Sequence, residues 1–256
     1  MEIFRRILLA ALFAGLISGV ITTVAHHFST VPLIEKAEAY PPPPDAEPSP
    51  AGWHPAEGFE RTASTALADI VTAFATALLF LAAYALYGRE IDWINGLHWG
   101  LGAYACLTLW PNFGIPPYLP GQAMAPHLDR QIWWSITAVM AVGGLFLLLH
   151  AKKVLPVIAG ILLLALPQIY GAPQPKTWNS AVPRSLGHQF LIASVLTNMV
   201  FWLSLGALTG YFYRRLVIAA ATEREVTPAR SAQAPAAAHG DYRADRMSRW
   251  SGGISE

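Results

Sequence analysis

The sequence predicts an all-α fold: a polytopic membrane bundle of about six transmembrane helices, arranged as three hairpins with proline-rich outer loops. Two observations carry that prediction. Charged residues are 13% of the 256-residue chain and hydrophobic ones 54%, whereas a soluble domain carries about 25% charge. The charge is also uneven, since ten of the 33 charged residues lie beyond Leu216. What remains between the charges are apolar stretches as long as a bilayer is thick, about 20 residues each.

Taken in order, the spans fall at roughly 4–28, 63–87, 94–110, 131–150, 154–170 and 187–213. The first could be mistaken for a secretory leader, because Arg5 and Arg6 give it a charged start and Ala37-Glu38-Ala39 resembles a cleavage site. Its apolar run is longer than a leader core and that site lies far beyond its end, so an anchored helix is the expectation. The second is broken only by Asp69. The third ends at Pro111, because proline does not continue a helix. The connections at 88–93 and 151–153 are so short that spans two and three, and spans four and five, are expected as tight antiparallel neighbours. Residues 1–215 thus form one transmembrane domain. The tail from 216 to 256, rich in Ala, Arg and Ser, is expected to be a disordered cytoplasmic segment.

Orientation follows from Lys and Arg beside the span ends. With the N-terminus inside, Arg5, Arg6, Arg89, Lys152, Lys153, Arg214, Arg215, Arg224 and Arg230 are cytoplasmic. Lys36, Arg61, Arg130, Lys176 and Arg184 are outside. Both termini are then cytoplasmic, as in a multi-pass protein of a bacterial inner membrane.

Of the 20 prolines, 17 fall in the three outer loops. The first loop carries Pro41-Pro42-Pro43-Pro44, which predicts polyproline II. The second and third look related. Each opens with a proline closing a helix, has glycine three or four residues on, and continues as Gly-x-Pro (Gly114-Ile115-Pro116; Gly171-Ala172-Pro173). Each leads to a glutamine in the next helix, Gln131 and Gln189. This pattern suggests repeated hairpins, alongside the simpler reading of two similar helix stops. Such stiff loops could form a fixed outer vestibule.

Net charge is +1, which gives no footprint for nucleic acid. Cys106 is the lone cysteine, so it makes no intrachain disulfide and reads as a small packing residue. Phosphate-binding, serine-hydrolase, zinc-protease and haem-attachment motifs are absent. The chain is therefore not expected to be an enzyme or to carry a resident cofactor.

Ionisable groups at membrane depth are functional candidates by default. Asp69 is the one carboxylate there, with a salt bridge or a structural hydrogen bond to a neighbouring helix as the competing role. Of the eight histidines, His26, His27, His54, His127 and His188 sit at the outer side, with Glu35, Glu38 and Asp129. Imidazole and carboxylate together suit borderline divalent metals such as Co, Ni and Zn. The metal-ligand candidates are His26, His27, Glu38, Asp69 and His188. Each single histidine also reads as ordinary interfacial packing. Gln168, Asn198 and His98 are candidates for a pathway; Gln168 and Asn198 read equally as glue between helices.

Several segments carry a more specific resemblance. The opening Phe4-to-Thr23 stretch FRRILLAALFAGLISGVITT, Pro32 with Ala37-Glu38, WPNFGIPPYLPG at 110–121, DRQIWW at 129–134, GAPQP at 171–175, Val182-Pro183 and GALTGYFYRR at 206–215 run in order. Together they resemble the CbtA family, the larger subunit of a predicted bacterial cobalt transporter. That resemblance implies cobalt uptake for cobalamin synthesis, with cobalt as cargo. It also implies a partner, CbtB, a small single-span protein with a His-rich end. Many family members carry His where this chain has Gln168; if that His binds metal in them, the substitution weakens that ligand here or changes the metal.

The leading expectation is a divalent-cation permease subunit in contact with membrane lipid. Glu38, His26 and His27 would gather the ion, with His188, and pass it to Asp69. A homo-oligomer is compatible with it. Two other classes stay open. One is a non-transporting scaffold whose proline-rich face binds a partner. The other is a haem or quinone subunit using His98 and His150.

Overall fold

A computed structural model describes residues 2–41 and 55–218. His54, most of the tetraproline run and the tail from 219 lie outside the described residues. Met1–Val217 forms one compact unit, within which the helices pack.

Among the described residues every regular element is helical. The order is α1 (Glu2–Ser29), α2 (Val31–Glu38), α3 (Phe59–Tyr87), α4 (Trp93–Ala103), a π-helical stretch (Tyr104–Leu109), α5 (Trp110–Asn112), α6 (His127–His150), α7 (Val154–Tyr170) and α8 (Arg184–Phe212). A second π-helical stretch, Tyr213–Ile218, prolongs α8. Four helices are long and apolar enough to cross a bilayer by themselves: α1, α3, α6, and α8 with its extension. Apolar α7 is shorter, at 17 residues.

Glycines decide which helices pair. With no sequestering of apolar surface from water available in lipid, helices associate where small residues let backbones approach. A Cβ built on Gly15 would lie 2.6 Å from the Phe74 Cα, and one on Gly19 2.6 Å from the Ile70 Cα, so α1 lies against α3. Gly96 and Gly100 on α4 meet Gly206 and Gly210 on α8, backbone to backbone. Gly144 on α6 and Gly160 on α7 face each other's carbonyl oxygens. Ser18 bonds Ser204 at 2.9 Å and Ser29 bonds Thr197 at 2.8 Å, which joins α1 to α8. The result is a four-helix unit of α1, α3, α4 and α8, flanked by the α6–α7 pair.

This pairing corrects two expectations. The tight α6–α7 neighbours are present, but α3 and α4 meet only at their joined ends, where Tyr84 and Tyr87 pack edge-on against Trp99. The Gly96–Gly206 seam turns α4 towards α8 instead. Of the three hairpins, the α1–α3 hairpin closes along its length; α7 turns to α6 rather than to α8, because Gly160 faces Gly144.

The first loop also holds a helix where none was expected. Pro32 sits in the first turn of α2, where its missing N–H does no harm. Ala37 on α2 is fully buried with Leu119, Val182 and Phe190, and Leu33, Ile34 and Leu186 pack around them. That knot ties all three proline-rich segments together, and Ser180 Oγ donates to the Gly121 carbonyl across the second and third loops at 3.0 Å. The two loops share one detail of the suspected repeat: the Gly114 amide donates to the Pro111 carbonyl and the Gly171 amide to that of Pro167. Their backbones differ, since Gly171 has φ of 89° and Gly114 is not in the left-handed region.

The π-helical turn places the end of the third rod. It adds a residue to the helical repeat and re-aims the side chains beyond it. Thr108 then accepts from Trp202 Nε1 at 2.8 Å on α8, while Trp110 Nε1 donates to the Leu164 carbonyl of α7 at 3.1 Å. Cys106 is buried in this turn, as a packing residue would be.

Candidate functional site

The small residues Gly15 and Gly19 fix the register of α1 against α3. Continuing one and two turns along the same face of α1 brings Thr23 and His26 opposite Asp69, the residue before Ile70. His26 Nδ1 lies 3.1 Å from Asp69 Oδ2, and Thr23 Oγ1 lies 3.0 Å from the same oxygen. Thr23 Oγ1 is also 3.0 Å from the Gly19 carbonyl. Its single proton can serve one acceptor at a time, so the hydroxyl can release the carboxylate without losing a hydrogen bond. The Asp69 side chain is 14% exposed and that of His26 28%, which leaves the pair shielded but reachable.

Two of the five expected ligands are thus brought together. The other three are placed elsewhere. Glu38 forms a two-point ion pair with Arg61, at 2.7 and 2.9 Å, linking α2 to α3. The Arg61 hydrogen bond holds the Glu38 carboxyl below its usual range. His27 is exposed, with its ring edge-on to Phe28. His188 lies in the first turns of α8, exposed. Among the described residues no three His, Cys, Asp or Glu side chains gather as a metal-binding group. The expected rim of many ligands is therefore not assembled there, and its Glu38 is engaged by Arg61.

The Glu38–Arg61 pair is half-exposed, so its value is small, below about 1 kcal/mol. Its sign with pH is determined. A lowered folded pKa stabilises the protein above the unfolded value, about 4.3, and that contribution disappears as pH falls through the folded one. Glu38→Gln should lower the melting temperature slightly at pH 7 and match wild type in strongly acidic buffer, as differential scanning fluorimetry in detergent can check.

Of the three pathway candidates, only Gln168 ties two helical segments together. Gln168 Nε2 donates to the Trp110 carbonyl at 3.0 Å, reciprocating the Trp110 bond to α7. Asn198 Nδ2 donates to the Ser194 carbonyl of its own helix at 2.9 Å. His98 is exposed on α4. His150 is also exposed, stacked on Phe146 and bonded to that residue's carbonyl.

Sequence reading missed Thr23 and Arg61. Thr23 was legible as the next step of the Gly15-Gly19 spacing. Arg61 was readable as lying two turns from Asp69 along α3, but its partner was not, because α2 was unforeseen.

A family model described as "Probable cobalt transporter subunit (CbtA)" matches residues 4–214. No curated protein matches the chain, and no solved structure does.

Proposed function

Because the chain belongs to the CbtA family of probable cobalt transporter subunits, we propose that it is the membrane-embedded part of a system that takes up a divalent cation, cobalt, to supply cobalamin synthesis. The observation that carries this reading is the Asp69–His26 pair between α1 and α3. A carboxylate oxygen and an imidazole nitrogen are the donor set a borderline divalent ion accepts. A carboxylate kept at bilayer depth is expensive unless it has a task.

Two side chains do not complete a coordination shell. An ion at Asp69 and His26 would keep water in its other positions or take ligands from a partner. That incompleteness suits transit, where binding must be firm enough to admit an ion and weak enough to release it. It also suits a subunit. We assign the missing ligands to a small single-span, His-rich protein of the CbtB kind.

In this reading six segments cross a bacterial inner membrane, with the helical rod from 93 to 112 as the third and α7 as the fifth. The lysines and arginines at 5, 6, 89, 152, 153, 214 and 215 support an orientation with both termini in the cytoplasm. The proline-rich knot then caps the outer face. An inside-negative potential of 100 mV would draw a 2+ ion inward with about 4.6 kcal/mol, so uptake needs no nucleotide hydrolysis by this chain.

The test is reconstitution. The purified chain, alone and with its small partner, is placed in liposomes, and radioactive cobalt accumulation is tracked under an imposed inside-negative potential. Potential-dependent accumulation in the combined system supports the proposal. Liposomes that accumulate no cobalt in either case, while the two proteins remain bound, would favour the scaffold instead.

A further inference from the structure

Two buried donors depart from what the rest of the molecule does. Hydroxyls in these helices donate to the carbonyl four residues back: Thr22 to Ser18, Ser29 to Ala25, Thr76 to Thr72, Thr209 to Leu205. Indoles find acceptors too, as Trp110 and Trp202 do. Thr137 and Trp133, one turn apart on α6, do neither. Thr137 is fully buried and Trp133 is 6% exposed, yet Thr137 Oγ1 and Trp133 Nε1 have no hydrogen-bond partner. Both atoms are sealed, so nothing outside the protein reaches them in this packing. The ordinary acceptor for the Thr137 hydroxyl is the Trp133 carbonyl, four residues back. The neighbours of Thr137 hold the hydroxyl away from it. Buried donors without partners cost free energy, and such costs collect where a protein changes conformation.

The two donors lie at a joint. The four-helix unit has its own seams, and α6 and α7 are held to each other by Gly144 and Gly160. Beyond each other, α6 and α7 meet the other helices chiefly at the π-helical stretch and α5. Trp110 fastens that joint to α7, donating to the Leu164 carbonyl and accepting from Gln168. The Trp133 ring closes it from α6. It is pressed so tightly on Gly114 that a Cβ there would collide with it, and Ala172 lies beside them. A π-helical turn is a natural bend, because its wider ring interrupts the regular ladder. A narrow fastening, a bendable turn and two unpaired donors therefore coincide.

We propose that residues 104–112 are a hinge about which the α6–α7 pair rocks against the four-helix unit, and that the unpaired donors of Trp133 and Thr137 hold the two packings close in free energy; the proposal rests on the transport reading. In the second packing the Trp133 ring withdraws from Gly114. The Thr137 hydroxyl turns to the Trp133 carbonyl, and the indole gains an acceptor. Rocking one rigid bundle against another around a fixed site is a general way to change which side an ion can reach. The Asp69–His26 pair lies between α1 and α3, wholly within the four-helix unit. The motion thus changes access to the ion and leaves its ligands in place.

The experiment uses the full chain in lipid nanodiscs, with Cys106→Ala and spin labels on Leu79→Cys of α3 and Ile161→Cys of α7, both exposed positions. Electron–electron distance measurements should give two populations. Thr137→Val keeps the shape and removes the hydroxyl. It should shift the ratio about fivefold towards the packing with Trp133 on Gly114. It should also raise the melting temperature by roughly 2–4 °C and slow cobalt uptake by a similar factor of about five. Thr137→Ser should restore the wild-type ratio and uptake. Thr76→Val, which deletes a bonded hydroxyl, should bring no gain in stability. A single distance overturns the hinge. So does a Thr137→Val variant no more stable than wild type, or a stabilised one with an unchanged ratio or unchanged uptake. Two populations that respond to Thr137→Val in a chain that moves no cobalt would keep the hinge and overturn the transport reading instead.

Discussion

Cells carrying Asp69→Asn are expected to take up cobalt about 100-fold more slowly than wild type at equal protein level, a loss of about 2.8 kcal/mol. The magnitude comes from charge. A unit charge about 4 Å from another is worth ~4 kcal/mol at an effective dielectric of 20, and a 2+ ion doubles the attraction. Much of that is offset by the hydration the ion sheds, so a loss of two orders of magnitude is a conservative figure. The substitution is nearly isosteric. Asn keeps an oxygen for Thr23 and for His26 Nδ1, so the α1–α3 seam built on Gly15 and Gly19 should stand. His26→Ala should cost less, about tenfold, since water can replace a neutral ligand. Thr23→Val keeps the charge and should stay within about threefold of wild type. The measurement is initial uptake of radioactive cobalt, with protein quantified by immunoblot. If Asp69→Asn transports normally, the carboxylate is a structural fastening and takes no part in the ion's route.

The course of the helices was readable because charge and thickness dictate it. An apolar run such as that between Arg130 and Lys152, or the one after Arg184, has few alternatives in lipid. Which helix would touch which was much less readable. The short turn after Tyr87 pointed to an α3–α4 pair, but chain proximity is weaker than a glycine seam, and α4 turned its Gly96–Gly100 face to α8. The site divided along the same line. Asp69 and His26 were visible as polar groups in apolar surroundings, whereas their meeting depends on the register that Gly15 and Gly19 impose. Glu38 looked like a free ligand because the helix presenting it to Arg61 lies beside a proline run that reads as loop. Trp133 and Thr137 gave no signal in sequence, since a Trp and a Thr near a span end are ordinary. Only their missing partners set them apart.

Gly206→Leu is expected to cost at least about 3 kcal/mol, at the upper end of overpacking effects, and to lower the melting temperature in detergent by roughly 6–12 °C for a chain of this size. Even the first carbon of the new side chain has nowhere to go. A Cβ at Gly206 meets the Gly96 carbonyl oxygen and lies 2.8 Å from the Gly100 Cα and 2.9 Å from its nitrogen. These are backbone atoms of a helix, which no rotamer change can move aside, so α4 and α8 must separate. Separation reaches further than the seam. Trp202 would lose Thr108, and Tyr104 its bond to the Val195 carbonyl. α8 also carries Ser204 and Thr197, the partners of α1. The register of α1, and with it the Asp69–His26 pair, is therefore coupled to a contact on the other face of α8. Gly102→Ala is the matched control. A Cβ there comes no nearer than 3.9 Å to the Leu145 side chain, so the change should be neutral or stabilise by up to about 1 kcal/mol through helix propensity. Equal melting temperatures for the two variants would show that the glycine seam does not hold the bundle together, and the pairing of α4 with α8 would then need a cause other than close backbone approach.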